Sequence, residues 1–123
     1  MGYYTEHTLI ARKVSSQYQF EKLTKRLKEM ELIGYAFNDG TYDSHMHEAV
    51  FHTYGECKWY SHAEDMVAIA ESFPNIYFEL EGIGEEFGDF WKEYYHDMDI
   101  ECCHGEIVYE RPKKVQWTEL VPF

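Results

Sequence analysis

The stretch from Trp59 to Trp91, WYSHAEDMVAIAESFPNIYFELEGIGEEFGDFW, constrains the fold more than any other part of this chain. Ser61 and Glu64 have the spacing of a capping box, and Asp65 places negative charge where a helix N-terminus favours it. Ala63, Met66, Val67, Ala70 and Phe73 recur every three or four residues, which predicts a helix with one apolar face. Pro74 ends it, because proline lacks the donor and restricts the residue before it. Ile76, Phe78 and Leu80 then alternate with Tyr77, Glu79 and Glu81, the pattern of a strand with one buried face. Gly82, Gly84 and Gly88 loosen the loop that follows. Nothing in the stretch spells out a catalytic centre.

The remaining chain supplies further elements. Glu6 to Val14 predicts a first strand. Ser16 and Gln19 form a second capping box, and Phe20, Leu23, Leu27 and Met30 mark an amphipathic helix with its lysines and Arg26 outward. Gly34 is the expected stop of that helix, and Asn38-Asp39-Gly40 is a turn signal. His45 to Thr53 (HMHEAVFHT) predicts a second strand, and Cys57 to Tyr60 a short third one. Beyond the central stretch, Asp89 to His96 predicts a fifth strand. Ile100 to Glu110 is expected to run back as a sixth, with Pro112 closing it.

The order strand, helix, strand, strand, helix, strand and then a hairpin predicts an α+β fold. The expected form is the ferredoxin-like βαββαβ two-layer sandwich with an added C-terminal β-hairpin. A chain of 123 residues suits one domain. Residues 1–81 would be the ferredoxin-like core, 82–111 an acidic loop and hairpin extension, and 112–123 a tail anchored by Trp117, Leu120 and Phe123.

The segment KWYSHAEDMVAIAESFPNIYFELEGIGEEFGDFWKEYY resembles a pattern in small, mostly uncharacterised phage and mobile-element proteins with ferredoxin-like domains. The shared parts are a Trp before the helix, an aromatic-Pro helix end, a Phe-Glu-Leu strand, and Gly-Glu-Glu followed by Gly-Asp near a Trp. The resemblance covers roughly a third of the chain, by the span of those shared parts against a single-domain length. It implies the fold, and a setting in which anti-CRISPR and other anti-defence proteins occur. It assigns no catalytic residues.

Charge narrows the function. The formal net charge is −12, so phosphate backbones are repelled and direct nucleic-acid binding is disfavoured. Cys57, Cys102 and Cys103 are an odd number, which reads as reduced thiols in a cytoplasmic protein, or host cytoplasm if the chain is phage-encoded. No apolar run is long enough to span a membrane.

The histidines and cysteines raise a metal- or thiol-dependent enzyme as one alternative. His45 and His47 would share one strand face, and Cys102 and His104 a face of another. No CxxC pair or HExxH helix accompanies them, so no cofactor is expected. A homo-oligomeric structural protein is the other alternative.

The acids from Glu79 to Glu101 carry the main expectation. They follow one another with only Lys92 between, and carboxylates two apart on a strand lie about 6.6 Å apart on one face. Such a surface could occupy a basic nucleic-acid channel of another protein, with aromatic anchors and charge speeding the encounter. The expected partner is therefore the basic surface of a host protein, such as a nucleic-acid-binding defence effector, and the expected action is non-enzymatic inhibition. Glu81, Glu85, Glu86, Asp89 and Glu93 would supply charge, and Trp91 and Tyr95 apolar contact.

Overall fold

The computed structural model describes residues 4–86, 88–97 and 99–104. Eight elements follow in chain order: β1 (Thr5–Arg12), α1 (Gln17–Glu29), β2 (Thr41–Asp43), β3 (Glu48–Phe51), α2 (His62–Ser72), β4 (Tyr77–Gly84), β5 (Phe90–His96) and β6 (Asp99–His104). The strands form one open six-stranded sheet in the order β2-β3-β1-β4-β5-β6, and every neighbouring pair is antiparallel. The fold is α+β. The expected strand to Glu110 and the tail lie outside the described residues beyond His104.

Period-two alternation sorts each strand onto two faces. Leu9, Ala11, Ala49, Phe51, Phe78, Leu80 and Tyr95 join Leu23 and Leu27 of α1 and Met66, Ile69 and Ala70 of α2 in one buried cluster. Both helices therefore pack on the same face. Phe20 of α1 lies 5.9 Å from Phe51 and stacks on Tyr42 at 5.6 Å, which fastens that helix to the β2–β3 side. Within α2 the buried stripe includes Ile69 and leaves Ala63 exposed, a shift from the expected face.

Several boundaries differ from expectation for local reasons. β1 stops at Arg12, because Lys13 takes a left-handed conformation with φ 64°. Half of the Ser16–Gln19 box forms: Ser16 Oγ accepts from the Gln19 amide at 3.2 Å, while Gln19 Oε1 accepts from the Ser15 amide at 2.7 Å rather than from that of Ser16. The helix ends at Met30 rather than at Gly34. Leu32 donates to the Leu27 carbonyl and Glu31 to the Lys28 carbonyl, the paired bonds of a Schellman ending, with Glu31 at φ 61° where glycine is usual.

The expected strand His45 to Thr53 is shorter, because its first residues are a turn. The Asp43 carboxylate accepts from the amides of His45 and Met46, and His47 sits at φ 55°. Cys57 makes only an isolated bridge to Thr5, not a strand. Ser61 makes no cap to the helix backbone. Its hydroxyl donates instead to Asp65 Oδ2 at 3.1 Å, and the same oxygen takes the Trp59 indole N–H at 2.7 Å. Asp65 thereby ties the incoming chain to the first turn of α2.

Candidate functional site

The anticipated interface residues are divided among three places. Glu81 lies on the sheet face opposite the helices, paired with Lys92 at 3.3 Å. Glu85, Glu86 and Asp89 lie in the connection from β4 to β5, where Glu85 Oε1 accepts from the Tyr4 amide at 2.8 Å. Trp91, Glu93 and Tyr95 point the other way, to the helix side, as their pairing with Gly82, Leu80 and Phe78 requires. Tyr95 is buried there and Glu93 nearly so. The acidic run does not make a single face, because β4 and β5 present opposite parities of the same stretch.

The helix-free face is nevertheless strongly acidic. Cross-strand registers place Glu79, Tyr94 and Glu101 in one row, and Thr8, Glu81, Lys92 and Cys103 in the next. Glu6, Ile83 and Phe90 form the row nearest the β4–β5 connection. Among the described residues, Arg12 and Lys92 form ion pairs with these acids. Arg12 Nη1 lies 3.4 Å from Glu79 Oε2 and its Nε 3.9 Å from Glu48, and Lys92 holds Glu81, which raises the lysine's pKa. Three cations of α1 are engaged elsewhere: Arg26 pairs with Glu29, Lys28 with Asp39, and Lys22 lies over Tyr18. Glu6 and Glu101 have no ion pair among the described residues.

Two hollows mark the face. One, of about 460 Å³, is bounded by Tyr77, Glu79, Tyr94, His96 and Glu101. Tyr77 stacks on His96 at 3.8 Å with the Lys13 ammonium 4.6 Å from its ring. The other, of about 370 Å³, is mostly apolar and holds Ile83 and Phe90 beside Glu81 and Lys92. Ile83 is 58% exposed and lies with Phe90 in this hollow.

A second constellation lies beneath the start of α2. His7, Trp59, His62 and Trp91 form a closed ring cluster with centroids 5.1–6.2 Å apart. Glu93 Oε1 accepts the Tyr95 hydroxyl at 2.7 Å and lies 2.9 Å from His62 Nε2, off the direction in which that nitrogen would donate, so Nε2 makes no well-aligned hydrogen bond. His62 Nδ1 is 3.3 Å from the Trp59 carbonyl. Burial, reinforced by His62, lowers the His7 pKa to about 4, so its ring is neutral at ordinary pH. His7 Nδ1 is 3.7 Å from the Cys57 thiol, whose pKa burial raises. Burial and then the Glu93 carboxylate push the Tyr95 phenol far up and the Cys102 thiol up.

That electrostatic pattern bears on thiol chemistry. A nucleophilic cysteine needs its thiolate favoured, whereas Cys102 faces a carboxylate that favours the protonated form. The other anticipated ligands do not join it. His45 and His47 sit at the β2–β3 turn on one edge of the sheet, and Cys102 is on β6 at the other, five strand spacings or about 24 Å away. The His104 side chain lies outside the described residues. Among the described residues no group of three or more His, Cys, Asp or Glu is placed to hold a metal ion.

His7 was not among the anticipated site residues, although the sequence carries a signal for it. It precedes Leu9 and Ala11 at period two, which puts it on the core face. Its meeting with Cys57 and His62 depends on tertiary packing and has no sequence signature. No protein-family model, curated protein or solved structure matches this chain. Among the described residues no helix is long and apolar enough to cross a membrane.

Proposed function

We propose that this protein is a non-enzymatic binding module that docks the helix-free face of its sheet, at the β4–β5 end, on a basic surface of another protein. The observation that carries this reading is the exposed Ile83 beside Phe90, set in an acidic surround of Glu6, Glu81 and Glu85. An apolar centre with a charged rim is the usual anatomy of a protein interface. The acidic rim selects a basic partner and speeds encounter at low salt.

The first four strands and two helices are read here as a ferredoxin-like unit. The β2-β3-β1-β4 order, with a helix after β1 and after β3, supports that reading. Together with the resemblance to mobile-element proteins, charge and fold make inhibition of a nucleic-acid-binding defence effector the sharpest form of the proposal, as anti-CRISPR proteins do. Trp91, Glu93 and Tyr95 then support the docking strand from behind, while Glu81, Glu85, Glu86 and Asp89 meet the partner.

The test is a pull-down from native-host extract with wild-type protein and two variants, Ile83→Asp and the Glu85→Lys, Glu86→Lys double change. Wild type is expected to retain a basic protein that high salt or added nucleic acid releases. Each variant should keep its circular dichroism and lose at least tenfold in affinity, since hot-spot truncation or rim reversal costs roughly 2 kcal/mol or more. Retention of the same protein by both folded variants would overturn the reading.

A further inference from the structure

On the helix side, the hollow beneath the first turn of α2 has the walls of a receptor for a small cation. It measures about 260 Å³ and is lined by Thr5, Cys102, Glu93 and a set of rings that includes Trp59, Tyr60 and His62. That is just below the roughly 300–1,000 Å³ of sites for drug-sized ligands, a size that suits a compact head group.

The polar groups decide the sign of that head group. His7 is neutral, the Cys102 thiol and Tyr95 phenol are held protonated, and the one carboxylate of the lining is Glu93, with His62 Nε2 2.9 Å from it. The Glu93 carboxylate is anchored by the Tyr95 hydroxyl at 2.7 Å, and the 2.9 Å approach of His62 is poorly aligned. A fixed carboxylate beside the Trp59 and Tyr60 rings attracts a cation with little surface to hydrate, by charge and by the ring quadrupoles together. An anion would meet Glu93, and a neutral apolar guest would gain nothing from that carboxylate.

We infer that the hollow walled by Trp59, Tyr60, His62, Trp91 and Glu93 binds a compact organic cation, an alkylated ammonium or a guanidinium group. The inference goes beyond the docking proposal and stands on different residues, facing the other side of the sheet. The cation is either a free small molecule or the head of a lysine or arginine side chain.

The experiment is a titration of the full chain with tetramethylammonium and with methylguanidinium chloride, followed by the indole ¹H–¹⁵N signals of Trp59 and Trp91. Sodium chloride at matched ionic strength is the control. Saturable shifts absent with sodium chloride are expected, with binding on the order of millimolar for one or two cation–ring contacts plus a carboxylate. Glu93→Gln should weaken binding at least tenfold. Cys102→Lys, at an exposed position, should abolish it by placing a tethered cation at the mouth. Linear shifts that sodium chloride reproduces, or full binding by the folded Cys102→Lys chain, would overturn the inference. A trimethyl-lysine amide that binds more tightly than tetramethylammonium identifies a side chain as the source; equal binding identifies a free cation. The Glu85→Lys, Glu86→Lys variant should titrate like wild type, which separates this outcome from that of the docking proposal.

Discussion

The Trp91 indole fills the space directly above Gly82, its cross-strand partner, so closely that a β-carbon on Gly82 would fall within the ring. The ring cannot easily retreat, because His62 stacks on it at 5.1 Å. Gly82→Ala should therefore cost roughly 1–3 kcal/mol, the usual penalty for overpacking. It should also part Trp91 from His62. Urea unfolding measures the first effect and the Trp91 indole chemical shift the second. An alanine variant as stable as wild type would show that the ring has room to move.

His7 makes stability depend on pH. Its folded pKa of about 4 lies below the ordinary 6.5, chiefly through burial. Above about pH 6.5 both folded and unfolded chains carry the ring neutral, and its full contribution is present. As pH falls from about 6.5 towards 4, the unfolded chain takes up a proton that the folded chain refuses, so stability declines. At 1.36 kcal/mol per pKa unit, the loss by about pH 4 is roughly 3 kcal/mol. Urea midpoints between pH 7 and 5 should fall, and the His7 ring signals should stay flat across that interval. A ring that titrates at its ordinary value would refute this.

Glu31 occupies the left-handed closing position of α1 at φ 61°, where side chains are strained. Glu31→Gly keeps both closing hydrogen bonds and removes the strain. The expected gain is about 1 kcal/mol, the lower end of the cost of such a conformation. Thermal unfolding should shift upward by a few degrees for a domain of this size. The exposed Glu31 side chain makes no ion pair among the described residues that the change would sacrifice.

The Cys102 thiol should react slowly for an exposed cysteine. Burial against the sheet and the Glu93 carboxylate favour its protonated form, and the thiolate is the reacting species. Iodoacetamide at neutral pH should alkylate it more slowly in the folded chain than in urea. Glu93→Gln should accelerate the folded-state reaction. Equal folded and unfolded rates would remove the carboxylate's influence.

What the sequence made legible were features set by nearest neighbours and by period. Ile76, Phe78 and Leu80 are buried as their alternation requires, and Ser16 Oγ caps the Gln19 amide at the start of α1 as their spacing requires. Features decided by a competing side chain were not legible. Asp43 turns the chain at His45 and Met46, so a run that reads as one strand becomes a hairpin. Asp65 draws the Ser61 hydroxyl away from the backbone and breaks the Ser61–Glu64 capping box. The acidic run misled for a different reason. Its members alternate properly along each strand, but the register between β4 and β5 sets Glu81 beside Lys92 and Glu93 beside Leu80, so charge contiguous in sequence is split between faces. The ring cluster around His7 joins β1, β5 and the entry to α2, a convergence across the fold that no local pattern encodes.

Cys102 and Cys103 adjoin on β6, the last described strand, yet the pleat sends them to opposite sides of the sheet. Neighbours in the chain thus become independent reporters. A spin label or dye carried by one alone senses the hollow under α2, and by the other alone the acidic face, so the side shielded by any bound molecule can be read from a single atom's change of address.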